Sequence, residues 1–213
     1  MVEKLKRIAV EQKLKKLKLT VFTPQEFQDV FGVPKKTAIT FIGRNLNSGL
    51  FTKLRNNYYQ VKDSNPSLYY IGNKLYQPSY VSLATALAHY NVIPEVIYAI
   101  TSVTTKATQE FETPGTIFTY SKIKQAAFTG YKAVRMEGTT VLLAEVEKAL
   151  ADYLYLVDLK KSSLNDRLEL RSIKKSKLIT YAKLFKRPSL LTLIDHVYAE
   201  YRKPTRIYWY LPD

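Results

Sequence analysis

Apolar residues at helical spacing predict three helices near the start of the chain. The first covers residues 3–18 and carries lysines between its apolar positions. The second begins at a capping box, in which Thr23 and Glu26 bond each other's backbone N–H groups and Pro24 takes the first helical position. Gly32 then allows a left-handed turn before the third helix begins.

The third predicted helix, residues 34–48, has an apolar face and a polar face. Ala38, Ile42 and Leu46 recur every four residues and should face inward. The other faces carry the basic and polar residues that a DNA recognition helix needs: Lys35, Lys36, Thr40, Arg44 and Asn47. Gly43 costs such a helix about 1 kcal/mol relative to alanine, which indicates the close approach of another group, for example a DNA backbone.

A basic hairpin is predicted after this helix. Residues 50–54 and 58–61 alternate as two strands joined by an asparagine-containing turn. Lys53 and Arg55 place charge on the hairpin, where a minor-groove or phosphate contact would occur. Helix, glycine turn, basic helix and basic hairpin in this order predict a winged helix-turn-helix domain over residues 1–64. The alternative is a small helical domain with a solvated basic face.

The remainder, residues 68–213, is predicted to be a mixed α+β domain with a helical end, so the whole chain falls in the α+β class. A polar linker at 63–67 precedes it. Strands are expected at 68–75, 96–103, 111–120, 132–136 and 140–143, with Pro114-Gly115 as a turn or bulge within 111–120. Helices are expected at 83–90, 144–156, 163–168, 175–185 and 189–201. An aromatic tail, 207–211, is expected to dock on the core as a strand or an extended end.

The net charge of +15 is concentrated at the two ends of the chain. Residues 1–62 hold 13 Lys or Arg and 4 Asp or Glu, residues 63–155 hold 7 and 8, and residues 156–213 hold 13 and 6. A polyanion would therefore meet two basic patches. The chain has no cysteine and no run that resembles a signal peptide or a membrane span, which predicts a cytoplasmic protein without membrane association.

The C-terminal basic patch has two interpretations that the sequence leaves open. One is a set of solvated helix faces that keep the protein soluble, and the other is a second surface for a polyanion such as flanking DNA. The residues in question are Arg171, Lys174, Lys175, Lys177, Lys186 and Arg187.

One helix carries acidic and basic residues together, but its spacing favours ion pairs over catalysis. Glu145, Glu147, Lys148 and Asp152 lie three or four residues apart and should form surface or interface pairs. A metal-dependent nuclease would need carboxylates converging from separate elements. Isolated histidines, no Cys/His metal spacing and no glycine-rich phosphate loop predict a protein that is not an enzyme and needs no cofactor or metal.

A resemblance to a known family is carried by several ordered blocks of the chain: 77–87, 93–95, 101–106, 111–114 and 145–152. Over about residues 5–200 the chain resembles the AbiEi family, the antitoxins and transcriptional regulators of type IV, abortive-infection toxin–antitoxin systems. Two departures are that Ala144–Ala149 lacks the family's common Thr-Pro-Glu-Lys-Ala, and that Pro114-Gly115-Thr116 is one residue shorter than the common turn.

The resemblance implies an N-terminal winged helix that binds repeats in the promoter of its own operon, with two copies of the protein on the DNA. It implies a C-terminal domain with antitoxin activity against a nucleotidyltransferase-like toxin, without the need for a stable complex. Two alternatives stay open. One is a protein-interaction module that acts on the toxin or its target, with DNA binding secondary, and the other is a metal-dependent nuclease.

Overall fold

The three helices and the hairpin predicted at the N-terminus are present in the computed structural model of the chain, which describes residues 5–201. The helices are α1 (Arg7–Lys16), α2 (Pro24–Phe31) and α3 (Lys35–Asn47). The strands are β1 (Val21–Phe22), β2 (Phe51–Arg55) and β3 (Tyr58–Val61). They form an antiparallel sheet in the order β1-β3-β2. We call residues 7–61 the N-terminal module.

Local sequence signals set the turn between α2 and α3. The capping box is confirmed: the Glu26 N–H donates to Thr23 Oγ1 at 3.2 Å, and the Thr23 N–H donates to Glu26 Oε2 at 2.8 Å. Gly32 has a φ of 62°, a left-handed conformation that costs glycine little. Pro34 is the N-cap of α3 and not its first residue, so the helix begins one residue later than predicted.

Aromatic rings fill the core of the N-terminal module and fix which face of α3 is buried. The rings of Phe22 and Phe51 meet edge-on with centroids 5.0 Å apart, and those of Phe27 and Phe41 stack at 5.7 Å. Ala38 is buried in the same cluster, as the four-residue spacing predicted. The opposite face of α3 is left to the solvent.

The rest of the described chain builds a six-stranded mixed sheet with five helices. The strands are β4 (Ser79–Val81), β5 (Ala99–Thr104), β6 (Gln109–Thr113), β7 (Thr116–Lys122), β8 (Tyr131–Met136) and β9 (Thr139–Ala144). Their order is β6-β7-β5-β4-β9-β8, with β5/β7 and β4/β9 parallel and the other neighbours antiparallel. The helices are α4 (Leu68–Leu75), α5 (Leu83–His89), α6 (Val146–Asp158), α7 (Lys175–Lys183) and α8 (Pro188–Tyr201).

The two faces of this sheet serve different neighbours. Val141 and Leu143 of β9 belong to the large core that holds α5, α6, α7 and α8. Ile100 of β5 and Phe118 of β7 belong instead to a cluster with α4 and with the N-terminal module. Because successive side chains of a strand point to opposite faces, this sheet packs against the large core on one face and against α4 and the N-terminal module on the other. The chain is therefore a mixed α+β protein, as predicted.

The strand predicted at 68–75 is wrong, because these residues form helix α4. A short apolar run does not distinguish a strand from a buried helix. Ile71 and Leu75, four residues apart, face the same cluster. Between them Gly72 brings the helix close to the sheet, since a Cβ there would lie 3.2 Å from Ile100 Cγ2.

The helix predicted at 163–168 is also wrong. The Tyr153 hydroxyl donates to the Ser163 carbonyl at 2.6 Å and accepts from the Asn165 N–H at 2.8 Å. The Asn165 side chain then accepts from the Arg167 N–H at 2.7 Å. These bonds replace a helical ladder with turns and loop.

Smaller differences concern the limits of the strands and the tail. The strand predicted from residue 96 begins at Ala99. The turn predicted at Pro114-Gly115 is confirmed, and it separates strands β6 and β7. The aromatic tail, 207–211, lies outside the described residues.

A buried cluster joins the N-terminal module to the second sheet. We call it the junction cluster, and its buried members are Val21, Leu54, Ile71, Leu75, Ile100, Phe118 and Tyr120. Beside it, Lys74 of α4 pairs with Glu26 of α2. Burial acts to raise the pKa of Glu26, but hydrogen bonds from Lys74 and from the Thr23 N–H outweigh it and lower the pKa. Apolar and ionic contacts thus hold the module against the sheet.

Arg55, at the end of β2, anchors the hairpin to the same surface. Its Nε donates to the Leu75 carbonyl at 3.0 Å, and its Nη2 donates to the same oxygen. The guanidinium lies over the ring of Tyr58 at 4.1 Å and over that of Phe111 at 4.5 Å. Arg55 therefore links the C-terminal end of α4, strand β3 and strand β6.

We predict that Arg55→Ala lowers the free energy of unfolding by about 2 kcal/mol, since it removes charged hydrogen bonds and two cation–π contacts. The free energy of unfolding of Arg55→Lys should lie between those of Arg55→Ala and the wild type, because an ammonium group keeps the charge but lacks the planar, forked geometry of a guanidinium. Urea denaturation measures both. Lys53→Ala is the matched control on the same strand, where the side chain is exposed. Equal stability of the two alanine variants would contradict the anchoring role.

Candidate nucleic-acid interface

The outward face of α3 carries the residues predicted for DNA binding. All five are exposed: Lys35, Lys36, Thr40, Arg44 and Asn47. Within residues 5–201, the side chains of Lys35, Lys36 and Arg44 form no ion pair. Their charges are therefore available to an external anion such as a phosphate.

Gly43 lies near the centre of this face. Residues 36, 40, 43 and 47 follow one another at intervals of three or four, so they form a single stripe along the helix. Apart from its chain neighbours and the backbone of its own helix, a Cβ built on Gly43 would have no atom within 4 Å, so packing within the described chain does not require glycine here. The stripe thus has a gap in its middle, where a partner can approach the helix backbone.

The hairpin residues predicted to contact DNA divide between two roles. Lys53 is exposed on β2. Arg55 is half-buried, and its guanidinium is engaged with Leu75, Tyr58 and Phe111. The hairpin therefore offers Lys53 to a partner, whereas Arg55 holds the hairpin in place.

The C-terminal basic patch is largely paired with acids. Lys175 Nζ lies 2.7 Å from Asp195, and Arg187 pairs with Asp158. Lys177 lies 2.9 Å from a Glu145 oxygen, and Arg171 is 3.8 Å from Glu169. Only Lys174 and Lys186 of the six are without an ion pair among the described residues. This arrangement gives the patch less free positive charge than its composition indicated.

Lys148 and Asp152 form a buried pair and not the surface or interface pair expected from their spacing. Both side chains are 0% exposed and bonded to each other. Asp152 Oδ2 also accepts from the Tyr80 hydroxyl at 3.0 Å and from Ser82 Oγ at 2.8 Å. Burial raises the pKa of the Asp152 carboxyl and lowers that of the Lys148 ammonium, while each partner's charge opposes the shift. Neither side chain is therefore accessible from the solvent.

Glu145 and Glu147, at the start of α6, are tied to α7. The Tyr181 hydroxyl donates to Glu145 Oε2 at 2.6 Å, and Lys177 Nζ lies 3.2 Å from Glu147 Oε2. Hydrogen bonds from Tyr181 and from Lys177 lower the pKa of Glu145, and burial together with Glu145 raises the pKa of Tyr181 to about 12. These carboxylates connect two helices.

No group of three or more His, Asp or Glu residues between 5 and 201 could hold a metal ion. His89 packs edge-on against Tyr69, with ring centroids 6.0 Å apart, and His196 is exposed.

A mainly apolar groove of about 560 Å³ lies between α4 and β9, and its lining includes Tyr70 and Tyr131. No helix in the described part of the chain is both long and apolar enough to cross a bilayer.

Comparison with known proteins finds neither a matching family model nor a matching curated protein. The nature of the interface must therefore be argued from the geometry of α3 and from the sequence blocks described above. Ile39 is not among the residues predicted for this surface, yet it is 50% exposed. Its spacing of four and three residues from the exposed Lys35 and Lys36 is the signal that could have found it.

We predict that Lys148→Met and Asp152→Asn each lower the free energy of unfolding by about 3–5 kcal/mol, because each leaves one partner of a buried pair uncompensated. The double variant should be destabilised much less than the sum of the two single variants, since it removes both charges. Chemical denaturation of the wild type and the three variants gives the coupling directly. Additive effects would contradict a coupled buried pair.

Proposed function

We propose that the N-terminal module is a winged helix-turn-helix that binds double-stranded DNA, with α3 as the recognition helix and Lys53 on the hairpin as a backbone contact. The observation that carries this proposal is the exposed face of α3, on which Lys35, Lys36 and Arg44, unpaired within the described chain, lie together with Gly43. Recognition helices place such residues against base edges and phosphates.

The helix is built so that this face can dock. Its apolar side packs against aromatic rings in the core of the module, so its polar side faces outward. Arginine and lysine bind guanine edges or phosphates, and asparagine pairs with adenine in the major groove. Lys36, Arg44 and Asn47 supply these chemistries within one helix.

The biological role in the proposal rests on the sequence blocks that resemble the AbiEi family. We infer that the chain represses its own toxin–antitoxin operon by binding promoter repeats, and that it counteracts a nucleotidyltransferase-like toxin. The second sheet and its helices would carry the antitoxin activity. The protein would act in the cytoplasm, without a cofactor and without catalysis.

We predict that Lys36→Ala together with Arg44→Ala weakens binding to a duplex from the chain's own upstream region at least about 30-fold, since each side chain that touches a base or a phosphate is worth about 1–3 kcal/mol. The logarithm of the affinity should also depend less steeply on the logarithm of the salt concentration, by about 0.9 for each phosphate that the variant no longer neutralises. Fluorescence anisotropy with the full chain measures both quantities.

The matched control is Lys174→Ala with Lys186→Ala, which removes the same charge from two exposed residues of the C-terminal patch that have no ion pair within residues 5–201. This variant should bind within about twofold of the wild type, because a change in net charge away from the interface has little effect. If Lys36→Ala/Arg44→Ala keeps full affinity, α3 is not the recognition helix. If the control variant binds DNA as weakly as Lys36→Ala/Arg44→Ala does, the interface includes the C-terminal basic patch.

A protein-interaction role is the second candidate, and one exposed patch favours it. Val96 is 76% exposed and Tyr98 is 87% exposed, and the neighbouring Ile117 also faces solvent. Apolar surface of this kind is typical of protein contacts. The variant Lys36→Ala/Arg44→Ala separates DNA binding from antitoxin activity in cells. If this variant no longer binds the promoter but still rescues cells from the toxin, the antitoxin activity belongs to the C-terminal part of the chain.

A further inference from the structure

Ile39 is an apolar side chain at the edge of the polar face of α3. It is 50% exposed, although its helix neighbours Ala38 and Ile42 are buried. Exposure forgoes the stabilisation that burial of an isoleucine would bring. A β-branched residue is also a weaker helix former than alanine or leucine. The fold therefore gains little from isoleucine at this position.

The surroundings of Ile39 are those of the proposed interface. Residues three or four apart on a helix are neighbours, so Ile39 lies beside Lys35 and Lys36 on one side and Gly43 on the other. No atom of the described chain fills the space over Gly43. When the two lysines bind phosphates along a DNA groove, the base edges at the bottom of that groove would therefore lie against the Ile39 side chain.

The major groove offers one apolar group for such a side chain. Of the base edges exposed there, only thymine carries a methyl group, at C5, and apolar side chains contact it. Ile39 lies in the N-terminal half of α3, where recognition helices meet the bases. We propose, resting on the DNA-binding function above, that Ile39 is a specificity-determining residue that contacts a thymine C5-methyl group in the operator.

The test uses the full chain and duplexes that the wild-type protein enriches from a random-sequence library. Each thymine of the enriched duplex is replaced in turn by deoxyuridine, which removes only the methyl group. Binding of each duplex is measured for the wild type, Ile39→Ala and Ile8→Ala. Ile8 is the matched control, an exposed isoleucine on α1.

For the wild type, deoxyuridine at one or two positions should weaken binding about fourfold, the effect of removing one methyl group from an apolar environment. Ile39→Ala should bind the thymine duplex more weakly and be insensitive to the same replacement. Ile8→Ala should behave as the wild type at every position. This pattern would assign the methyl interaction to Ile39.

Two other results would overturn the inference in different ways. If the wild type binds the enriched duplex equally well with deoxyuridine at every thymine, or if Ile39→Ala keeps the sensitivity of the wild type, Ile39 touches no methyl group while DNA binding stands. If no duplex is enriched, the proposed function itself fails and this inference fails with it.

Discussion

The junction cluster is the contact on which the rest of the structure depends. Its apolar residues come from the N-terminal module, from α4 and from the second sheet, so it fastens the hairpin to the large domain. Arg55 reinforces it through the Leu75 carbonyl, and Glu26 through Lys74. The aromatic core of the module fixes which face of α3 is buried, and the junction cluster, which contains no residue of α3, leaves the polar face of that helix exposed.

The distribution of paired charges separates the two ends of the chain more clearly than their net charge does. The lysines and the arginine of α3 have no acidic partner among the described residues, whereas Lys175, Lys177 and Arg187 are held by Asp195, Glu145 and Asp158. Free cations bind phosphates with release of counterions, and paired ones must first give up a partner. The geometry thus favours α3 over the C-terminal patch as the proposed DNA surface.

Local signals predicted the N-terminal module well. The capping box at Thr23, the glycine at residue 32 and the inward Ala38 and Ile42 all depend on neighbours within a few residues, and the structure confirms them. Tertiary contacts decided the rest. Hydrogen bonds of the Tyr153 hydroxyl stabilise a loop where a helix was expected, at 163–168. The Arg55 side chain, expected to contact DNA, donates to the Leu75 carbonyl instead. Helical spacing predicted the Lys148–Asp152 pair but not its burial, which the packing of α6 determines.

The central claim is that the exposed face of α3 binds DNA, and Gly43→Ala tests it most directly. Alanine has room at this position and should stabilise the helix by about 1 kcal/mol, while its methyl group would stand where the DNA approaches. Chemical denaturation and anisotropy on the upstream duplex, measured for the same full-length variant, give both effects. The account predicts a more stable protein that binds DNA more weakly. A more stable protein that binds the duplex as tightly as the wild type would contradict it.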